Sequence, residues 1–185
     1  MRARAVAGLA ARESLRKGAE RIISTRLQEL LELAPLALAG GEARALHDLR
    51  IAAKRMRYIL ELTGFCFGEH AEAAAASARA IQELAGAIHD YDLLLERIGA
   101  HATDFTRERG QALAVQAQGE VPPAAERADL ATCAALGSLA IECQAQRALL
   151  LAQLRTRFDE DQRSALRRTL LAALRTRQRP ARQGA

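Results

Sequence analysis

His47, Arg50, Lys54 and Arg57 follow one another at i, i+3, i+7 and i+10. On a helix that spacing draws a stripe three turns long, about 15 Å, with Tyr58 and Glu61 at its borders. Cationic side chains in such a row can touch several phosphates of one polyanion. The planar forks of Arg50 and Arg57 can each take two oxygens, and Lys54 adds a point charge. His47 is the adjustable member: beside phosphate its charged form is favoured, so binding should strengthen as the pH falls. The stripe holds a single carboxylate, Glu61, so i,i+4 ion pairing does not account for it. The alternative is an ordinary solvated helix face.

Other charged residues fall where a core is expected. Arg26 lies near the centre of an apolar stripe, and Gln144, Arg147 and Arg155 fall in or beside another. Charges are seldom buried without a partner. Either these side chains reach out to water along their stems, or several helices share an internal basic groove that gathers Arg26, Arg147 and Arg155 around His47. Asp92 lies in the apolar seam of a third helix, with Gln82 and His89 on one flank of that seam, and is either the carboxylate that holds Arg26 or Arg57 in position or one half of a plain bundle ion pair. His47-Asp48 and His89-Asp90 resemble the His-Asp pairs of metal-dependent phosphohydrolases, with a later residue such as Asp129 completing the ligands. Against this, Asp90 points about 100° away from His89 on a shared helix. No glycine-rich phosphate loop and no Ser or Cys nucleophile motif stands out, so no metal and no cofactor is expected.

Half of the 185 residues are apolar, and Leu and Ala lead them. Strand-favouring residues are few, so the composition leans all-α. The charge is unevenly spread. Residues 1–60 carry twelve basic and six acidic side chains, residues 61–146 five and thirteen, and residues 147–185 ten and three. If the two basic ends meet, they make one positive surface that attracts polyanions. Of the 27 cations, 25 are Arg, which suits phosphate but also follows from a GC-rich genome. Aromatics are only 3% and Trp is absent, leaving little on which to stack unpaired bases. Binding to a duplex backbone stays open. Cys66, Cys133 and Cys143 read as reduced core thiols. No apolar run is long enough to span a membrane, and no secretory signal is evident, so the expected location is cytoplasmic.

The elements that must position the stripe are helices. Periodicity predicts the first over 13–33, with Leu15, Ala19, Ile22, Ile23, Leu27 and Leu30 on one face, and Pro35 and Gly40-Gly41 ending the segment. The second covers 43–62, with Leu46, Leu49, Ala53, Met56 and Leu60 inward. The third covers 69–98, with Ala74, Ala78, Ile81, Leu84, Ala85, Ile88, Asp92 and Leu95 in its seam. Residues 99–124 read as a short helix and a linker. The fourth covers 124–158, seamed by Leu130, Cys133, Ala140, Ile141, Ala148, Leu151 and Phe158, and the last covers 162–175. The expectation is an all-α antiparallel bundle of about four long helices plus a short C-terminal helix. It has a flexible segment over 1–12, the domain over 13–175, and a disordered basic tail over 176–185.

The run ALHDLRIAAKRMRYILELTGFCFG (45–68) resembles the signature of the CHAD domain, the conserved histidine α-helical domain. IQELAGAIHDYDLLLERI (81–98) resembles its L-Q-x-x-L-G-x-x-x-D segment, with Gly86 at the L-G glycine and Ala85 replacing Leu. ALGSLAIECQAQRALLLAQLRTRF (135–158) is similar to its closing Arg-rich helix. The resemblance covers roughly 13–175. It implies helical bundles around a basic groove that binds inorganic polyphosphate without catalysis, and association with polyphosphate granules. By position it assigns the family histidine to His47 and the basic residues to Arg50, Lys54, Arg55 and Arg57. The chain is short for the family's two-half domain and shows one clear copy of the basic helix, so either a second copy of the chain completes the groove as a partner or the domain is a compact single-bundle variant. The expected function is non-enzymatic binding of polyphosphate or another phosphate polyanion. The alternatives are a metal-dependent phosphohydrolase and a helical adaptor for acidic or nucleic-acid partners.

Overall fold

A computed structural model describes residues 2–116 and 123–175, without the side chains at 113, 115, 116 and 123–128. The described residues form five α-helices, a single 3₁₀ turn and no strand. The helices are α1 (Leu15–Gly40), α2 (Ala43–Thr63), α3 (Glu69–Gln116), α4 (Pro123–Arg157) and α5 (Glu160–Arg175). Four long helices and a short final one are therefore present among the described residues, as the periodicity implied. The linker residues 117–122 and the tail 176–185 lie outside the described residues. The chain divides into two compact units, Met1–Gly86 with Leu151–Ala185, and Ala87–Leu150.

In the first unit, Ser14 caps α1, its hydroxyl accepting from the Lys17 N–H at 3.5 Å. The helix then runs through Pro35 to Gly40, seven residues past the expected end. Proline removes one backbone hydrogen bond, but the turns after it bury Ala37 and Leu38. The end of α1 is also well satisfied. Gly41 adopts the left-handed conformation at φ 67° and donates its N–H to the Ala37 carbonyl. Arg155 of α4 donates to the Leu38 carbonyl at 2.7 Å and to that of Ala39 at 3.0 Å. A Cβ at position 41 would stand 2.5 Å from the Leu151 side chain, so glycine is required there both for its conformation and for space.

The two-residue turn folds α2 back on α1 as a helical hairpin. All five residues expected to face inward from α2 are buried: Leu46, Leu49, Ala53, Met56 and Leu60. The 3₁₀ turn Gly64–Cys66 and the left-handed Gly68 lead into α3, whose first turn carries Glu69 and Glu72 at the positive end of the helix dipole. Arg16 ties three parts of this unit together. Its guanidinium stacks 4.7 Å over the Phe67 ring, donates to the Cys66 carbonyl, and reaches the Leu174 carbonyl at 3.5 Å. Leu154 of α4, Phe158 of the turn after it, and Leu166, Leu170 and Leu174 of α5 complete the core.

In the second unit the sequence reading needs two corrections. First, α3 does not stop near Ile98 but continues to Gln116. Between Ile98 and Gln116 no proline interrupts it, Thr103 and Thr106 bond back to the carbonyls of Gly99 and Ala102, and Arg109 pairs with Asp129 of α4 at 2.6 Å. Second, α4 turns a different face inward. Leu130, Cys133, Ile141 and Ala148 of the expected seam are exposed, whereas Cys143 is buried. Apolar residues surround α4 almost evenly, so periodicity gives no direction.

Candidate polyanion-binding face

The basic stripe lies on α2 in the first unit, and its side chains are neither fully buried nor fully open. His47, Arg50, Lys54 and Arg57 are all half-buried. Asp48, next to His47, faces Arg44 at 3.7 Å along the helix. The Arg50 guanidinium lies against α3 at Gly86: a Cβ on that glycine would stand 3.5 Å from Arg50 Nε. That nitrogen is buried and finds no hydrogen-bond acceptor among the described residues. Gln82, one turn before Gly86 on α3, is half-buried with its Oε1 likewise unmatched.

Lys54 and Arg57 share an aromatic neighbour. Lys54 Nζ lies 5.6 Å and the Arg57 guanidinium 4.7 Å from the centre of the Tyr58 ring. The negative ring face attracts both cations and restrains their long stems. Glu61 stands 3.8 Å from Arg57 but only 2.6 Å from Arg79 of α3. The bond to Glu61 raises the Arg79 pKa above its ordinary value, so the carboxylate is engaged mainly by Arg79. Arg55 is half-buried on α2, about 100° around the helix from Lys54.

The remaining expected members of a groove have other work. Arg26 is 8% exposed and Glu29 5%. They pair at 2.5 Å, and Arg26 also donates to the Arg4 carbonyl at 2.5 Å. The Arg4 N–H in turn donates to Glu29. Arg26 is thus a buried, neutralised strut beneath the N-terminal segment, and Arg155 caps the end of α1. Arg147 and Asp92, in the second unit, hold each other at 2.5 Å. Asp92 is therefore one half of an ion pair within its own unit. His89, also in the second unit, is half-buried. Sequence reasoning passed over Arg16, Arg79 and Arg4. Only Arg79 carried a signal, as a lone cation among the small residues that open α3.

Charge favours anions at the first unit, which carries 22 basic and 13 acidic residues, against five and nine in the second. Among the described residues no group of three or more His, Cys, Asp or Glu side chains could hold a metal; Asp129 is engaged by Arg109. No described helix is long and apolar enough to cross a membrane. In comparisons with known proteins, the CHAD domain family model matches residues 2–99, which takes in α1, α2 and the Gly86 region but neither Arg147 nor Arg155. No curated protein and no solved structure matches the chain.

Proposed function

The chain belongs to the CHAD domain family, and from that premise we propose that it binds inorganic polyphosphate along α2, with Arg50, Lys54 and Arg57 on the phosphates and His47 adding charge at lower pH. The observation that carries this reading is the restraint on the three strong cations. Arg50 rests on the Gly86 backbone, and Lys54 and Arg57 rest on Tyr58. Cations already held in place lose less side-chain freedom on meeting a ligand, and the terminal nitrogens of the guanidinium forks suit phosphate oxygens. Arg55 widens the face by one position. Gln82 belongs to the wall of this face through α3.

The domain acts by binding alone: the reading requires no metal and no nucleophile. It also offers a means of retention on polyphosphate granules in the cytoplasm. Other phosphate polyanions, duplex nucleic acid included, compete through the same charges.

Equilibrium binding of long-chain polyphosphate to the native chain and to the Arg50→Ala, Lys54→Ala, Arg57→Ala triple variant tests the proposal, with circular dichroism monitoring the fold. The expected result is lost binding with retained helicity and no release of orthophosphate by either protein. Equal affinity of the two proteins would overturn the site. Phosphate release by the purified native chain would favour the hydrolase alternative.

A further inference from the structure

Glu61 is the carboxylate at the border of the basic stripe, and two guanidiniums share it. Its Oε1 accepts a hydrogen bond from Arg79 Nη2 of α3 at 2.6 Å and lies 3.8 Å from Arg57 Nε of α2. One oxygen thus stands between cations of two helices. At 3.8 Å the approach to Arg57 is one of charge alone, and Arg57 Nε is buried with no hydrogen-bond acceptor among the described residues. The carboxylate satisfies Arg79 and leaves Arg57 partly unmet.

Helices α2 and α3 run antiparallel through this part of the first unit. Arg50 meets α3 at Gly86, and further along α2 Glu61 meets Arg79, earlier on α3. A polymer lying between the two helices passes Arg50, Lys54 and Arg57 on one side and Gln82 and Arg79 on the other. From Arg79 back to its start, α3 carries His70 and the carboxylates Glu69 and Glu72 but no Lys or Arg. Arg79 is therefore the last strong cation on that side.

A phosphate polymer suits this spot better than the carboxylate that fills it. Both anions take charge-assisted hydrogen bonds from guanidinium. The two oxygens of a carboxylate lie in one plane with its carbon, and Glu61 turns them to Arg79. The free oxygens of a phosphate chain diverge, so one polymer can serve Arg57 and Arg79 together. Glu61 has only to yield. Its side chain is 35% exposed and that of Arg79 55%, and ion pairs this open are weakly held.

We infer that Arg57 and Arg79 form a phosphate subsite shared by two helices, which the Glu61 carboxylate fills in the free protein and yields to bound polymer. The inference rests on the α2 reading above and adds to it a cation from α3 and an internal competitor. Arg79 is then a binding residue. Glu61 lowers affinity, because its pair must open and its charge stays beside the phosphates.

Equilibrium binding of long-chain polyphosphate tests it, with circular dichroism and thermal unfolding monitoring the fold. Glu61→Gln should bind about two- to five-fold more tightly than the native chain, the range set by the strength of an exposed ion pair. Glu61→Ala, which leaves no amide in place of the carboxylate, should do the same. Arg79→Ala should bind more weakly than the native chain. The double variant Glu61→Gln, Arg79→Ala separates contact from masking. An arginine that merely neutralises Glu61 costs nothing to remove once the carboxylate is gone. A phosphate ligand still costs several-fold there, and its loss makes the slope of log affinity against log salt shallower by about 0.7. Affinity of both Glu61 variants no higher than native, or equal affinity of Glu61→Gln and the double variant, would overturn the inference. In either case lost binding by the Arg50→Ala, Lys54→Ala, Arg57→Ala variant would leave the α2 site standing. A native chain that binds no polyphosphate would overturn both.

Discussion

Replacing Glu29 separates the structural arginines from those proposed to bind phosphate. Arg26 and Glu29 are almost wholly buried and paired at 2.5 Å, and the Arg4 backbone bonds to both. Glu29→Leu leaves the Arg26 guanidinium buried with no opposing charge, a change that costs about 3–5 kcal/mol. At about 2–4 °C per kcal/mol for a chain of this size, the midpoint of thermal unfolding falls by roughly 6–20 °C. Arg26→Met alone strands the Glu29 carboxylate and has a comparable effect. The double variant Arg26→Met, Glu29→Leu removes both charges and fills the site with apolar volume, so most of the loss returns. Thermal and urea unfolding of the four proteins give the coupling directly. Losses in the double variant equal to the sum of the two singles would refute the pairing. Polyphosphate affinity of the double variant should equal that of the native chain. A large loss there would return Arg26 to the binding face.

Gly86→Leu pushes the Arg50 guanidinium off α3. We expect a several-fold loss of polyphosphate affinity with the fold retained by circular dichroism, and unchanged affinity would show that Arg50 is not placed by that contact. The Glu32 carboxyl is held below its ordinary range, first by the hydrogen bond from Arg4 and then by that from Gln28. A depressed carboxyl stabilises the folded arrangement at neutral pH and loses that contribution as the pH falls through its folded value. The protection of the amides of residues 2–8, with the intrinsic pH dependence of exchange divided out, should therefore fall in acid, and Glu32→Gln should remove that fall. Polyphosphate affinity should rise as the pH falls from about 8 to 5.5, the range in which imidazole gains its proton. A His47→Gln chain should show a flat profile, and a flat native profile would remove His47 from the site.

What the sequence made legible depended on contrast. On α2, charged and apolar residues segregate sharply, so its inward face and its basic stripe were readable together, down to Met56 and Leu60. On α4, residues 130–146 carry only Glu142 as a charge, and the periodicity pointed to Leu130 and Ile141, which are exposed. Composition also flagged Arg26 and Arg155 as out of place but not their purpose. The partners of Arg155 are backbone carbonyls 117 and 116 residues away, and no side-chain pattern announces a carbonyl. Asp92 met Arg147, 55 residues distant, where sequence distance gives no preference among arginines. Pro35 read as a stop, and the helix passes it because burial of the following turn outweighs one missing bond.

The salt dependence of polyphosphate binding tests the central claim most directly, because each phosphate contact releases counterions. By analogy with single-stranded nucleic acid, contacts from Arg50, Lys54, Arg57 and a protonated His47 give a slope of log affinity against log salt of about −3, which the Arg50→Ala, Lys54→Ala, Arg57→Ala variant reduces to about −1. A native slope near zero, or one that the triple substitution leaves unchanged, would contradict the account.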